Sequence, residues 1–350
     1  MIKEVAPNLF RIQVPSKLKK IKPEVNLYFF AAEDGILWDA GYGGELSMHV
    51  VERDLAAIQK IMAERGQKCR VTRILLSHGH ADHFSGLKGL RELTGAKVLL
   101  TATQAANVKN RSEYLRAWRE PKDAMEPETP FSIFLANLFF RGLQDWLFGV
   151  NWMPDPDEII PESGNLRVGG RILHYFPIPG HADDHIALYS APEGILLSGD
   201  HVLRRITPWI GPPRSDIDEY EASLEHLLAL TDLKIILPAH GSSITDPYPH
   251  LRAALRHSHA RTNKICRLVT RAGHKGISFY GIVMRVYPKS SFLLWLSARG
   301  WILLTLRMLI KDGCIGVRRE KGRQIFFSAE RTQRRESCRI FCAKPQEKED

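Results

Sequence analysis

The segment His78-Gly79-His80-Ala81-Asp82-His83 constrains this chain most, because it places three imidazoles and a carboxylate within six consecutive residues. Borderline-soft divalent ions such as Zn²⁺ are bound by this mixture of donors. The apolar run 71–77 before it is typical of a strand, and helix-forming residues follow at 84–93. The segment is therefore predicted to lie on a loop at the carboxyl end of a strand, where layered α/β folds place their sites.

Three later segments repeat one pattern, in which an apolar run breaks at glycine or proline and a histidine or aspartate follows. The runs are 171–178, 194–198 and 234–238, and the residues that follow them are His181, Asp200 and His240. Any one of these histidines, taken alone, would more often be an ordinary loop or core residue. Their repetition at strand ends indicates a shared constellation.

These segments, in this order, resemble the metallo-β-lactamase superfamily of metallohydrolases. The matching sequences are HGHADH at 78–83, PGHADDH at 179–185, LLSGDHVL at 196–203 and LPAHGSSI at 237–244, and Asp39 in ILWDAG matches the family's early Asp-x-Gly. The resemblance covers roughly residues 5–245. It implies an α+β fold, the four-layer αβ/βα sandwich.

The resemblance also implies two divalent metal ions. His78, His80 and His181 would bind one, Asp82, His83 and His240 the second, and Asp200 would bridge them. Zinc is the default because neutral imidazoles suit it, and iron or manganese accept the same ligand types.

Three further residues near the ligands have open roles. Asp39 is expected to hold a ligand imidazole in one tautomer, the alternative being a polar turn residue before Gly41. His185 and His201 are adjacent to ligands and either contact substrate or orient the loop. Of the two, His201 is the candidate proton donor and catalytic residue. Asp82 is predicted to orient the metal-bound hydroxide that attacks an electrophilic centre.

The length, the cysteine content and the charge distribution of the chain limit the class of protein it can belong to. The 350 residues suit two domains, and the scattered, odd set of five cysteines fits a reducing, cytoplasmic compartment. The N-terminal sequence lacks a signal architecture, and no transmembrane span is expected. Residues 251–350 hold 22 basic and 7 acidic residues, a balance of +15, whereas the rest of the chain carries −5. This asymmetry either marks an RNA-binding region or is a solvated basic face.

Residues 102–156 are longer than the catalytic core requires and are predicted to form a helical insert. The apolar segment 131–150 within it is either core packing for the insert or a lid beside the metals. If the segment is a lid, Phe139, Trp146 and the nearby Trp152 are expected to line the substrate pocket. Such a pocket would favour a substrate with an acyl chain or an aromatic group.

The C-terminal third is predicted to follow the catalytic domain (1–245) as a linking helix (246–274), a small winged-helix-like α/β domain (275–328) and a disordered tail (329–350). A C-terminal winged helix is similar to that of the lactamase-beta-2-like branch of the superfamily. Such a module often contributes an interface, so a homodimer is an additional expectation.

The predicted function is a metal-dependent hydrolase of a small-molecule thioester or related carboxylic ester with an apolar acyl part. Basic residues of the insert offer a groove for the phosphates of an acyl-CoA, although such charges more often form a solvated helix face. The alternatives are a single-stranded RNA endoribonuclease of the lactamase-beta-2-like type and a lactonase. Fold alone does not choose among them.

Overall fold

Two β-sheets lie face to face at the centre of the structure. The computed structural model describes residues 2–16, 23–118, 143–205, 207–288 and 292–329, with the backbone only at 144 and 292–298. The first sheet has the strand order of the sequence: β1 (Ile2–Ala6), β2 (Leu9–Val14), β3 (Val25–Phe30), β4 (Gly35–Trp38), β5 (Val71–Leu75), β6 (Lys97–Thr101) and β7 (Glu158–Ile160). Strands β1 to β4 pair antiparallel, and β4 to β7 pair parallel.

The second sheet has the order β12-β11-β10-β9-β8. Its strands are β8 (Gly164–Val168), β9 (Arg171–Pro177), β10 (Ile186–Ser190), β11 (Ile195–Gly199) and β12 (Ile235–Pro238). Because β10 is antiparallel to both β9 and β11, and β12 is parallel to β11, three strands of this sheet run in the same direction. Their carboxyl ends therefore meet at one edge of the sandwich.

The layers of the fold follow from the alternation of side chains between the two faces of each strand. In β3, Tyr28 and Phe30 pack between the sheets, whereas Leu27 and Phe29 pack on the outer face of the first sheet. A strand presents successive side chains to opposite faces, so a strand that is apolar throughout has both faces covered. The sandwich predicted from the sequence is confirmed.

Helices cover both outer faces. They are α1 (Glu45–Glu64), α2 (Ala81–Phe84), α3 (Leu87–Thr94), α4 (Ala102–Val108), α5 (Arg111–Ala117), α6 (Gln144–Phe148), α7 (Ile217–Ala229), α8 (Pro247–Ala272), α9 (Phe279–Val286) and α10 (Phe292–Lys311). Buried residues of α1 and α3 pack on the first sheet, and those of α7 and α8 pack on the second. Within the described residues, none of these helices combines the length and the hydropathy needed to cross a membrane.

The sequence predicted one helix at 84–93 after a histidine loop, and this was wrong in two ways. Asp82 and His83 already lie in the helical turn α2, and a separate helix, α3, begins at Leu87. The break falls at Gly86, whose amide donates to Gly41 O (3.0 Å) and where a Cβ atom would lie 2.2 Å from Ala40 O. Close approach of two backbones at this glycine interrupts the helix.

The C-terminal elements pack against the second sheet. Strands β13 (Ile277–Ser278), β14 (Ile315–Glu320) and β15 (Arg323–Ser328) form a sheet of order β13-β15-β14. The hairpin of β14 and β15 is observed as predicted, and β13 is an addition to it. The division into a catalytic domain, linking helix and winged helix stays a prediction, and most of the expected tail lies outside the described residues.

Asn26 in β3 joins the two sheets. Its buried side chain donates to the carbonyls of Pro238 (3.0 Å) and Gly241 (2.9 Å), and its amide donates to Ala239 O (2.7 Å). These bonds hold the loop that follows β12.

Replacing Asn26 by alanine should lower the free energy of unfolding by about 1–3 kcal/mol, because the carbonyls of Pro238 and Gly241 would each lose a donor and the first of these bonds is buried. Chemical denaturation of Asn26→Ala measures this loss. Asn165→Ala, on exposed β8, is the matched control. Equal stability of the two variants would contradict the proposed role of Asn26.

Candidate metal centre

All seven predicted ligands lie where strands end. The segment His78–His83 follows β5, and His181, Asp200 and His240 follow β9, β11 and β12, the three strands that run in the same direction. The topology thus gathers segments more than 150 residues apart in sequence at one edge. They form two groups of donor atoms, each within 4.8 Å of one another: His78, His80 and His181; and Asp82, His83, Asp200 and His240.

The first group consists of three imidazoles whose nitrogens converge. His181 Nε2 lies 3.3 Å from His78 Nε2 and 3.1 Å from His80 Nδ1. Two nitrogens bound to one tetrahedral ion at about 2.0–2.1 Å lie roughly 3.3 Å apart. The spacing therefore fits a divalent metal ion held by all three.

The second group combines two carboxylates with two imidazoles. His240 Nε2 lies 3.3 Å from Asp82 Oδ2 and 3.3 Å from Asp200 Oδ1. Asp200 Oδ2 lies 3.6 Å from His83 Nε2 and 3.9 Å from His181 Nε2, so this carboxylate reaches both groups. Among the described residues, the buried Nε2 of His83 has no hydrogen-bond partner. A set of donor atoms that includes a buried nitrogen without a partner fits divalent ions.

Backbone carbonyls fix two of the rings through their second nitrogen. His181 Nδ1 lies 2.6 Å from Trp209 O, and His240 Nδ1 lies 2.7 Å from Glu24 O. Because a carbonyl only accepts, each Nδ1 carries a proton, and Nε2 is the nitrogen of each ring that can bind a metal.

Asp39 fixes a third ring and two strand ends. Its fully buried carboxylate accepts from Ser77 N (2.7 Å) and Ser77 Oγ (3.0 Å), and Oδ2 lies 3.0 Å from His83 Nδ1. Burial opposes protonation of His83, but the charge of Asp39 and the other nearby carboxylates outweighs burial and raises the pKa of His83. The Asp39 carboxylate accepts from Nδ1, so this nitrogen keeps its proton when Nε2 releases its own to a bound cation, and Nε2 faces the second group.

The two groups differ in charge. Burial lowers the pKa of His78, His80 and His181, so these imidazoles are neutral and ready to bind a cation. Burial also opposes protonation of His240, but the nearby carboxylates, Asp200 foremost, outweigh it and raise its pKa to about 10. The first group thus resembles a neutral chelate, and the second is built around negative charge.

Sequence reasoning missed an ion pair that supports the histidine loop. Asp184 Oδ2 accepts from Gly79 N (3.0 Å) and Asn107 Nδ2 (2.9 Å), while Oδ1 lies 2.7 Å from Arg214 Nη2. Arg214 is nearly fully buried and also bonds Asp183 Oδ1 (2.6 Å). The doubled aspartate in HADDH was the available signal, but its partner Arg214 is about thirty residues away.

His185 and His201 lie behind the donor groups rather than among them. His185 Nε2 accepts from Asp200 N (3.1 Å), and its ring stacks on His78 with centroids 4.7 Å apart. His201 is fully buried, and its ring packs against Tyr220 with centroids 4.8 Å apart. Both positions favour a supporting role, and the geometry gives no support to His201 as a proton donor to substrate.

The aromatic residues beside the site differ from the expected ones. Phe139 lies outside the described residues, Trp146 is 79% exposed, and Trp152 packs against Phe84 (5.5 Å) and lines a separate cavity that contains none of the seven ligands. Two other tryptophans approach His80.

Trp118 and Trp209 form this aromatic wall. Their ring centroids lie 5.4 and 6.3 Å from that of His80 and 5.8 Å from each other. The sequence offered little to single them out, because Trp209 lies in an irregular segment far from the histidine motif.

Comparison with known proteins agrees with this geometry. Residues 24–240 match the model of the metallo-beta-lactamase superfamily. A beta-lactamase-like protein 2 homolog of Drosophila melanogaster is 25% identical over 74% of this chain and 75% of its own length. A hydroxyacylglutathione hydrolase of Cereibacter sphaeroides is 25% identical over 48% of this chain and 47% of its own.

Solved structures show the same likeness over almost the whole chain. A metallo-beta-lactamase family protein from Thermus thermophilus has a TM-score of 0.67 and 25% identity, covering 93% of this chain and all of that one. With its two donor groups at the shared edge of the sandwich, the chain belongs to the metallo-beta-lactamase superfamily and is a metallo-hydrolase.

Proposed function

We propose that the protein is a dinuclear metal-dependent hydrolase of thioesters or related carboxylic esters with an apolar acyl part. The observation that carries the proposal is the division of seven donors, five of them on buried residues, into two groups joined by Asp200. In this proposal His78, His80 and His181 hold one ion, Asp82, His83 and His240 hold the second, and Asp200 bridges them. Zinc is the proposed ion because three neutral imidazoles suit it.

The bound ions would polarise the substrate carbonyl and lower the pKa of the attacking water. Asp82 is the residue of the second group best placed to act on that water, because its side chain is 17% exposed whereas that of His83 is fully buried. Asp82 orients the water and accepts its proton while one oxygen faces His240. Hydrolysis then breaks the C–S bond and releases a carboxylate and a thiol.

The aromatic wall supports an apolar acyl group. Trp209 is 37% exposed, so part of its ring is available to a ligand next to His80. Pockets lined by aromatic side chains with a few fixed polar groups are typical of sites for apolar substrates. The similarity to a hydroxyacylglutathione hydrolase, which by its name acts on an acyl derivative of glutathione, favours a thioester.

Single-stranded RNA is the second candidate. It is favoured by the +15 balance of residues 251–350, which would attract a phosphate backbone.

Replacing Asp39 by asparagine should weaken metal binding at the second group by about 10- to 100-fold. Asparagine tolerates the left-handed backbone of this position (φ 65°), but its amide would present a donor to His83 Nδ1 and favour the wrong tautomer. Titration of metal-free protein with Zn²⁺ measures both affinities. We expect the affinity to fall for only one of the two ions. Unchanged affinity for both ions would contradict the role of Asp39.

Replacing Asp82 by alanine should abolish thioester hydrolysis and lower the metal content towards one ion while the fold stays intact. Free-thiol release from short, long and aromatic acyl-CoA thioesters measures activity, and circular dichroism measures folding. Asp155→Ala, at an exposed carboxylate outside the site, is the matched control. A fully active Asp82→Ala protein would exclude the assignment; cleavage of single-stranded RNA but of no thioester would favour the second candidate.

Replacing Trp209 by alanine should raise KM for long and aromatic acyl thioesters about tenfold and leave acetyl thioester little changed. Loss of a partly buried aromatic contact costs on the order of 1–2 kcal/mol, and the Trp209 carbonyl that holds His181 is retained. Steady-state kinetics across acyl chain lengths measure this. Trp146→Ala is the control, and an equal effect of both variants would argue against the aromatic wall.

A further inference from the structure

A separate cavity lies beside the segment that precedes Trp209, and residues 202–205, 207 and 208 line it. Its volume is about 200 Å³, and it is enclosed by this segment, α8 and α10. Since about 10–15 Å³ of such space already holds one water molecule, the cavity has room for a phosphate group. Neither the metallo-hydrolase assignment nor the ligand groups use it.

The charge of the cavity is one-sided. Arg204, Arg205, His250 and His257 line it, and its described lining contains no aspartate or glutamate. Arg204 uses Nη1 to hold Ser243 O (2.7 Å). The remaining guanidinium hydrogens of such a side chain stay available, because the guanidinium group carries five donors.

A buried donor without an acceptor also lines the cavity. Trp301 is 2% exposed, and its indole Nε1 has no hydrogen-bond partner among the described residues. Arg261 stacks on the ring, with its guanidinium carbon 4.0 Å from the centroid, so the indole is held in place. A buried unpaired N–H is costly, and an oxyanion in the cavity would satisfy it.

The nearest acidic group is already occupied. Glu221 accepts a hydrogen bond from Ser258, a cavity residue, and Glu221 Oε2 lies 3.2 Å from His259 Nε2. Its charge is therefore partly neutralised, and the cavity keeps a net attraction for anions.

One short segment joins the cavity lining to the candidate metal centre along the chain. Thr207 and Pro208 line the cavity, and the next residue, Trp209, holds His181 through its carbonyl and approaches His80 with its ring. Tyr220 lines the cavity as well and contacts the ring of His201. A ligand in the cavity would therefore contact the segment that carries Trp209.

We propose that this cavity is a phosphate-binding subsite, with Arg204 and Arg205 supplying the charge and Trp301 Nε1 a neutral donor. The phosphate is either that of a thiol leaving group, which rests on the proposed thioester hydrolysis, or a free phosphate ion. Both sources share the same recognition chemistry.

Calorimetric titration of the full-length, metal-loaded protein with inorganic pyrophosphate tests the subsite without requiring turnover. Arg204→Gln/Arg205→Gln should weaken binding about tenfold or more, since both substitutions remove a positive charge and a charge-assisted hydrogen-bond donor. Trp301→Phe should weaken it several-fold while keeping the aromatic packing. Arg319→Gln/Lys321→Gln removes the same charge from the exposed β14–β15 hairpin and is the matched control. No binding to the parent protein, or equal loss in the control, would overturn the proposal.

Kinetics distinguish the two sources. If the phosphate belongs to the substrate, the double variant raises KM for an acyl-CoA and not for the corresponding phosphate-free N-acetylcysteamine thioester. If a free ion is the ligand, pyrophosphate binding falls but both thioesters respond alike. Pyrophosphate binding without turnover of either thioester would support the subsite and reject the proposed thioester hydrolysis.

Discussion

The buried carboxylate of Asp39 is the contact on which the rest of the site depends. It accepts from the amide and hydroxyl of Ser77 at the end of β5 and holds His83 on α2, so one side chain joins three segments. A fully buried charge is tolerated only when it is paired and hydrogen-bonded. The ends of β4 and β5 and the ring of His83 must therefore assemble together. The left-handed backbone of Asp39, with φ of 65°, turns the chain so that its carboxylate faces these partners.

Two electrostatic arrangements lie side by side in this edge of the sandwich. Neutral imidazoles hold the first group, whereas the carboxylates of Asp82 and Asp200 dominate the second. Arg214 is a buried cation beside this arrangement that the metal scheme does not use, and Asp183 and Asp184 balance it. Asp184 also accepts a hydrogen bond from the amide of Gly79. The same carboxylate therefore balances the charge of Arg214 and holds the His78–His80 loop.

The sequence was sufficient to predict the features of the fold and the site that depend on local residue patterns. Apolar runs that end in His or Asp predicted the strands and the metal donors. A strand that is buried on both faces appears in the sequence as a continuous apolar run, and only a few residue types can bind a metal ion. It was insufficient where two distant backbones meet. Nothing in residues 84–93 reveals that Gly86 packs against Ala40 and splits the helix. Trp209 was missed for the same reason, since its relation to His80 exists only after β9 and α7 are in place.

The C-terminal elements complete the hydrolase rather than merely following it. Ile178 and Leu196 of the second sheet share one continuous buried cluster with Ile302 and Phe326. The link passes close to the site, because Tyr220 contacts the ring of Trp301 on one side and backs Gly180, next to His181, on the other. Removing α10 would expose this apolar surface to water, at a cost of about 25 cal/mol for each Å², and would loosen the support beneath His181. Packing therefore couples the C-terminal elements to the loop that carries His181.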